Sequence, residues 1–303
     1  MSQGVPFILA LEPDARQGAL LRSVLEQNAR VEVAVVDSRD AGADYIVEGE
    51  GDDRIVGGAG VDYLTYFVAT SGITVSNGNT IDGLGHDVTD AEIIEGSKFA
   101  DRMRGGAGSD DLRGLSGEDS IDGGAGNDFL NASGGTIRGG AGDDLVDASG
   151  TVTVYLEGGV NGARLGAGHP TVVGGPEQDR FSFVKRKSHA TVKGGGGVND
   201  QIIFMGVRQA VTADISKGLA RWKGGDIRFS QIHTLIGTRR KDTLIGSSGT
   251  DILQGRSGAD VLKLGAGNDL GTGQGGRDSV DGGSGIDYCY GETLRRCEGS
   301  PHI

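Results

Sequence analysis

Residues 105–131 read GGAGSDDLR GLSGEDSID GGAGNDFLN, three nine-residue units in one register. Gly holds positions 1 and 4, Asp holds position 6, and Leu or Ile holds position 8. The unit returns as GGAGVDYLT (57–65), GGAGDDLVD (139–147), GSSGTDILQ (246–254), GRSGADVLK (255–263) and GGSGIDYCY (282–290). Between 237 and 290 an Asp falls at every ninth residue: Asp242, Asp251, Asp260, Asp269, Asp278 and Asp287. The same step links Asp44, Asp53 and Asp62, and again Asp101, Asp110, Asp119 and Asp128. Asp144 follows Asp128 by sixteen residues rather than eighteen, because 132–138 (ASGGTIR) is a shortened unit with no Asp that keeps Ile137 for the core.

A fixed period of this length predicts stacked coils rather than a conventional globular fold. The glycine portion of each unit turns tightly, since Gly accepts positive φ at no steric cost. The three residues after the Asp suffice for a short strand whose side chains alternate, so position 8 points inward and positions 7 and 9 face solvent. Leu64, Leu112, Ile121, Leu130, Val146, Leu253, Leu262 and Val280 take the inward position, and Gly271 thins the core in its unit. Two units make one coil with a loop on each edge. The predicted fold is an all-β parallel β-roll, with Asp of one repeat facing Asp of the repeat two along.

Composition agrees. The chain of 303 residues has 58 Gly, 5% aromatics and a net charge of −13, so few bulky side chains are available to offset the entropy of ordering glycine. The acidic balance excludes the basic face a nucleic-acid partner requires. Because the acids recur at fixed places, they predict cation binding. Two carboxylates and several loop carbonyls are hard oxygen donors, about six to eight in number, which suit Ca²⁺ better than Mg²⁺ or Zn²⁺. Unloaded, the stacked carboxylates repel, so metal binding and folding are expected to be one event.

The repeats divide the chain into a non-repeat segment (1–38), a first array (39–65), a β insert (66–95), a second array (96–147), decayed repeats with a second insert (148–236), a third array (237–290) and a tail (291–303). The decayed stretch retains Asp179 and Asp200. The segments leaving the two inserts, IEGSKFADRMRG (94–105) and LIGTRRKDTLIG (235–246), read as copies of one unit. Both inserts are expected to extend the sheet or cover it. Residues 1–38 carry an apolar strand, a helix with Asp14 as its cap, and VEVAVV. That order resembles the opening of a response-regulator receiver domain, without the strand that bears the phosphoacceptor, and is expected to be a remnant or a cap.

The tandem nonapeptides resemble the RTX (hemolysin-type) calcium-binding repeat family. The resemblance implies a parallel β-roll, Ca²⁺ held in the loops and an extracellular or cell-surface setting. Carried over by position, the ligand pairs are Asp44 with Asp62, Asp101 with Asp119, Asp110 with Asp128, Asp242 with Asp260, Asp251 with Asp269, Asp260 with Asp278, and Asp269 with Asp287. Asp53 and Asp144 take the same role. Asp101 and Asp242 are the weakest members, since GSKFAD and GTRRKD lack the position-4 glycine.

Other signals carry no chemistry. GTGQGG (271–276) arises from repeat glycines rather than a dinucleotide fold, the five histidines are scattered, and no HExxH is present. No apolar run reaches the ~20 residues of a membrane span, and Val5–Leu11 lacks the basic flank of a signal peptide. Cys289 and Cys297 are either free thiols or one disulfide, the latter implying an oxidising compartment. The expectation is a non-enzymatic, calcium-dependent scaffold, structural or adhesive, with cell-surface or matrix components as partners. The alternative is the secretion or folding module of an enzyme or toxin-like protein.

Overall fold

The computed structural model describes residues 45–47, 55, 57, 60–77, 87–185 and 187–298. The receiver-like segment, Asp44 and Asp53 lie outside them. The described residues are all β, with no helix and therefore none able to cross a membrane. The chain forms two compact units, Met1–Val146 and Asp147–Ile303.

The first unit stacks short parallel strands in two columns. One column runs Tyr45–Val47, Tyr63–Thr65, Ile93–Glu95, Asp111–Arg113 and the start of Phe129–Ala141, with Ile46, Leu64, Ile94, Leu112 and Leu130 in register. The other pairs Thr74–Asn77, Arg102–Arg104, Asp119–Ala125 and the second half of Phe129–Ala141, aligning Val75, Met103, Ile121 and Ile137. Every one of these side chains is buried. Each contributes about 1.5–3 kcal/mol on burial, so the periodic position-8 residue is the core.

The predicted first insert extends the stack. Tyr63 pairs with Ile93, which places Glu92 at position 6 and Ile94 at position 8 of a coil. The shortened unit 132–138 keeps Ile137 in the core as expected, paired with Ile121, and the structure shows Gly135 in the Asp place opposite Asp119.

The second unit repeats the plan. Ala163, Phe181, Ile202, Leu235, Leu253, Gly271 and Cys289 follow one another in one column. The other column has Val154, Val172, Val192 and Phe229, then Ala213, Leu244, Leu262, Val280 and Leu294. The second insert joins its two parts as an antiparallel meander of Val211–Asp214, Leu219–Trp222 and Gly225–Ser230. Here the core is conventional, with Phe183, Phe204 and Trp222 in mutual ring contact at 5.8–5.9 Å. It too extends the sheet, because its outer strands pair in parallel with His189–Lys193 and Thr243–Ile245.

Candidate metal centre

Strand alternation places position 6 on the same side as position 8, so each repeat Asp is drawn inward at the loop edge. All the described repeat aspartates are buried. They are joined into ladders in which the backbone N–H of one Asp donates to Oδ1 of the Asp two repeats on. The first unit has Asp101 to Asp119 (3.1 Å), Asp110 to Asp128 (2.9 Å) and Asp128 to Asp144 (3.0 Å). The second has Asp242 to Asp260, Asp251 to Asp269 and Asp260 to Asp278, each 2.8 Å, and Asp269 to Asp287 at 3.0 Å. Six of the seven pairs expected from spacing are thus brought together. The seventh includes Asp44, outside the described residues. The sixteen-residue step from Asp128 to Asp144 makes the same bond as the eighteen-residue steps.

The second carboxylate oxygen divides the ladder. In the opening loops it is already bonded. Ser97 N–H and Oγ donate to Asp101 Oδ2 and Oδ1, both at 2.7 Å. Gly106 N–H donates to Asp110 Oδ2 at 2.7 Å, with Asn77 on Oδ1. Thr238 closes Asp242 as Ser97 closes Asp101, and Ser247 closes Asp251. Ile73 N–H and Val211 N–H occupy matching places on Asp101 and Asp242. The two insert-to-array junctions therefore share one hydrogen-bond plan, as copies of one unit should. A Ser or Thr at position 2 takes over the loop where the position-4 glycine is missing.

In the later loops Oδ2 has no hydrogen-bond partner and is buried: Asp119, Asp128, Asp200, Asp260, Asp269, Asp278 and Asp287. An unpaired buried carboxylate oxygen costs several kcal/mol unless a cation takes it up, on the order of the penalty for burying an ion. The position-1 glycine makes room for it. A Cβ on Gly114, Gly255 or Gly273 would stand 2.3–2.4 Å from Oδ2 of Asp119, Asp260 or Asp278. At position 4, loop carbonyls stack toward the next loop on the same edge. A Cβ on Gly126 or Gly285, at φ +122° and +127°, would strike the carbonyl oxygen of Gly108 or Gly267. Among the described residues no three His, Cys, Asp or Glu side chains gather into a cage. The donors are instead paired carboxylates and backbone carbonyls, the oxygen set a hard divalent cation takes.

Electrostatics follow from burial. Asp119, Asp128, Asp260 and Asp269 are each pushed up to about 6 by desolvation, reinforced by neighbouring carboxylates. Asp179 reaches about 6 for the same first reason, with Asp200 adding. Burial also raises Asp110, Asp200, Asp242 and Asp251.

The ladders include residues not predicted as sites. Asp179 N–H donates to Asp200 Oδ1 at 2.8 Å, and Asn161 N–H to Asp179 Oδ1 at 3.0 Å, so the decayed repeats carry a ladder of their own. Glu92 accepts from Asp62 N–H at 2.8 Å. It lies nine residues before Asp101, so the period alone could have found it. Glu292 and Glu298 accept from Asp278 and Asp287 N–H at 2.6 and 3.0 Å. They are off the period, and no sequence signal marks them. The cysteine alternative resolves to a disulfide, Cys289–Cys297.

Compared with models of known families, the chain matches the RTX calcium-binding nonapeptide repeat at residues 40–65, 86–120, 104–136, 135–150, 236–271 and 272–289. No curated protein matches it.

Proposed function

RTX calcium-binding nonapeptide repeats make up the regular part of this chain, and from that premise we propose that it binds Ca²⁺ along both loop edges and completes its fold only when loaded. The row of buried Oδ2 atoms without hydrogen-bond partners, from Asp119 and Asp128 to Asp260, Asp269, Asp278 and Asp287, carries this reading. Bound calcium supplies positive charge between stacked carboxylates and accepts the lone pairs of loop oxygens. The chain's part is positional. Backbone N–H groups hold each Oδ1 in line, position-1 glycines leave Oδ2 its space, and position-4 glycines bring carbonyls to the gap. Asp101, Asp110, Asp242 and Asp251 open the ladders as partners whose own loops close internally.

The role we propose is that of a non-enzymatic scaffold, structural or adhesive, outside the cell or at its surface. The Cys289–Cys297 disulfide supports an oxidising compartment. Sites in such settings have dissociation constants on the order of 10⁻⁴–10⁻³ M, which would keep the roll loaded outside a cell and empty inside it. Far-UV circular dichroism during a calcium titration tests the reading. A gain of β signal at sub-millimolar to millimolar Ca²⁺, not reproduced by Mg²⁺, is expected. A spectrum equally β-rich in chelator and unmoved by calcium would overturn it.

A further inference from the structure

Both aspartate ladders of the third array end on a glutamate outside the repeats. On one edge Asp242, Asp260 and Asp278 are followed by Glu292. On the other, Asp251, Asp269 and Asp287 are followed by Glu298. Each glutamate accepts the terminal Asp N–H, the bond a further repeat Asp would accept. Beneath each, Oδ2 of Asp278 or Asp287 is buried with no hydrogen-bond partner, in residues at most 1% exposed. The last loop on each edge thus has its own free carboxylate oxygen and a second carboxylate above it, although the nonapeptide series has stopped.

The tail is held in this position by three ties. Thr293–Arg295 pairs in parallel with Ser279–Ser284, and Thr293 N–H donates to Asp278 O at 3.0 Å. The Arg296 guanidinium grips Asp281 through two hydrogen bonds, Nε to Oδ1 at 2.7 Å and the terminal nitrogen to Oδ2 at 2.5 Å. The Cys289–Cys297 disulfide then closes a short loop around Glu292 and fixes the residue preceding Glu298. Cys289 itself is buried in the core column, so the bond anchors the tail to the roll.

We infer that residues 291–298 form a disulfide-held cap in which Glu292 and Glu298 supply the closing carboxylates of two terminal calcium sites beyond the repeat array. The inference rests on the calcium reading above. Calcium in these gaps would be held by Asp278 with Glu292 and by Asp287 with Glu298, and would supply the positive charge that offsets each pair of carboxylates and tightens the cap on the end of the array.

Equilibrium dialysis of the full oxidised chain at saturating calcium, compared with Glu292→Gln and Glu298→Gln, tests this directly. The amide oxygen of Gln still accepts the Asp N–H, so the calcium-free spectrum should not change. Each variant should bind one ion fewer, and the double variant two fewer. Reduction with a phosphine, or Cys289→Ser with Cys297→Ser, should also remove two ions. Tryptic cleavage at Arg295 and Arg296 supplies a local readout: calcium should protect these bonds in the oxidised chain and fail to do so in the variants. Unchanged stoichiometry and unchanged protection in both Gln variants would overturn the cap sites while leaving the repeat sites standing. A wild-type chain that binds no calcium would overturn both readings.

Discussion

Leu264 and Gly271 exchange the roles of positions 1 and 8 within one repeat. The unit LGAGNDLGT (264–272) puts Leu where the loop glycine belongs and Gly where the core residue belongs. Leu264 is fully buried, and a Cβ added to Gly271 would come within 2.7 Å of its Cδ2 and 2.9 Å of Val280 Cγ1. The thinning expected at Gly271 is therefore filled from the adjacent position. Gly271→Leu alone should overpack the column and cost about 1–3 kcal/mol. Leu264→Gly should open a cavity and cost at least the roughly 2–5 kcal/mol of a buried Leu→Ala change. The double exchange should cost less than the sum, as contacting sites are coupled. Urea denaturation at saturating calcium would show it.

Asp260 and Asp242 have the same place in the repeat and different surroundings. Asp242 has both oxygens bonded by Thr238 and Val211, whereas Asp260 Oδ2 has no hydrogen-bond partner. Asp260→Asn should raise the midpoint of the calcium titration on the order of tenfold, about 1.4 kcal/mol per site. Asp242→Asn should move it less and should instead weaken the calcium-free junction. Circular dichroism titrations of the two variants, side by side, separate the cases.

Acid should act in opposite directions on the empty and loaded chain. Asp119, Asp128, Asp260 and Asp269 are raised from 3.8 to about 6 in the folded chain. The native state therefore binds protons more tightly than the unfolded chain between those values. By linkage, calcium-free stability is greatest at the acid end of that window and falls as pH rises through about 6. Calcium needs the ionised form, so its affinity falls as pH drops through the same value. The rise in Tm produced by calcium should be larger at pH 7.5 than at pH 5, as thermal scans would show.

The second insert should outlast the loops in chelator. Trp222, the only tryptophan, packs with Phe183 and Phe204 in an aromatic core braced by the antiparallel meander. Its emission is expected to stay blue-shifted when chelation has removed much of the β signal. Phe204→Ala should cost about 3–5 kcal/mol and release that emission to the red.

Periodicity made most of the roll legible in the sequence. A nine-residue step with Asp at position 6 and an aliphatic residue at position 8 forces two strands per coil, an inward column and stacked loops, because side-chain alternation and glycine turns are local properties. The facing of each Asp with the Asp two repeats on, the inward places of Leu112 or Val280 and the core place of Ile137 followed from that spacing; the bond between Asp128 and Asp144 across the shortened unit did not. Which carboxylate oxygens remain unbonded did not, since it depends on whether the N–H of the loop's second residue, as in Ser97, Gly106, Thr238 and Ser247, turns back onto the Asp. Nor did Glu292, Glu298 or the partner of Cys289, which lie off the period. Their roles depend on where the tail crosses the end of the stack, and only the tertiary structure decides that, because no local rule relates a residue outside the repeat to a loop it meets across space.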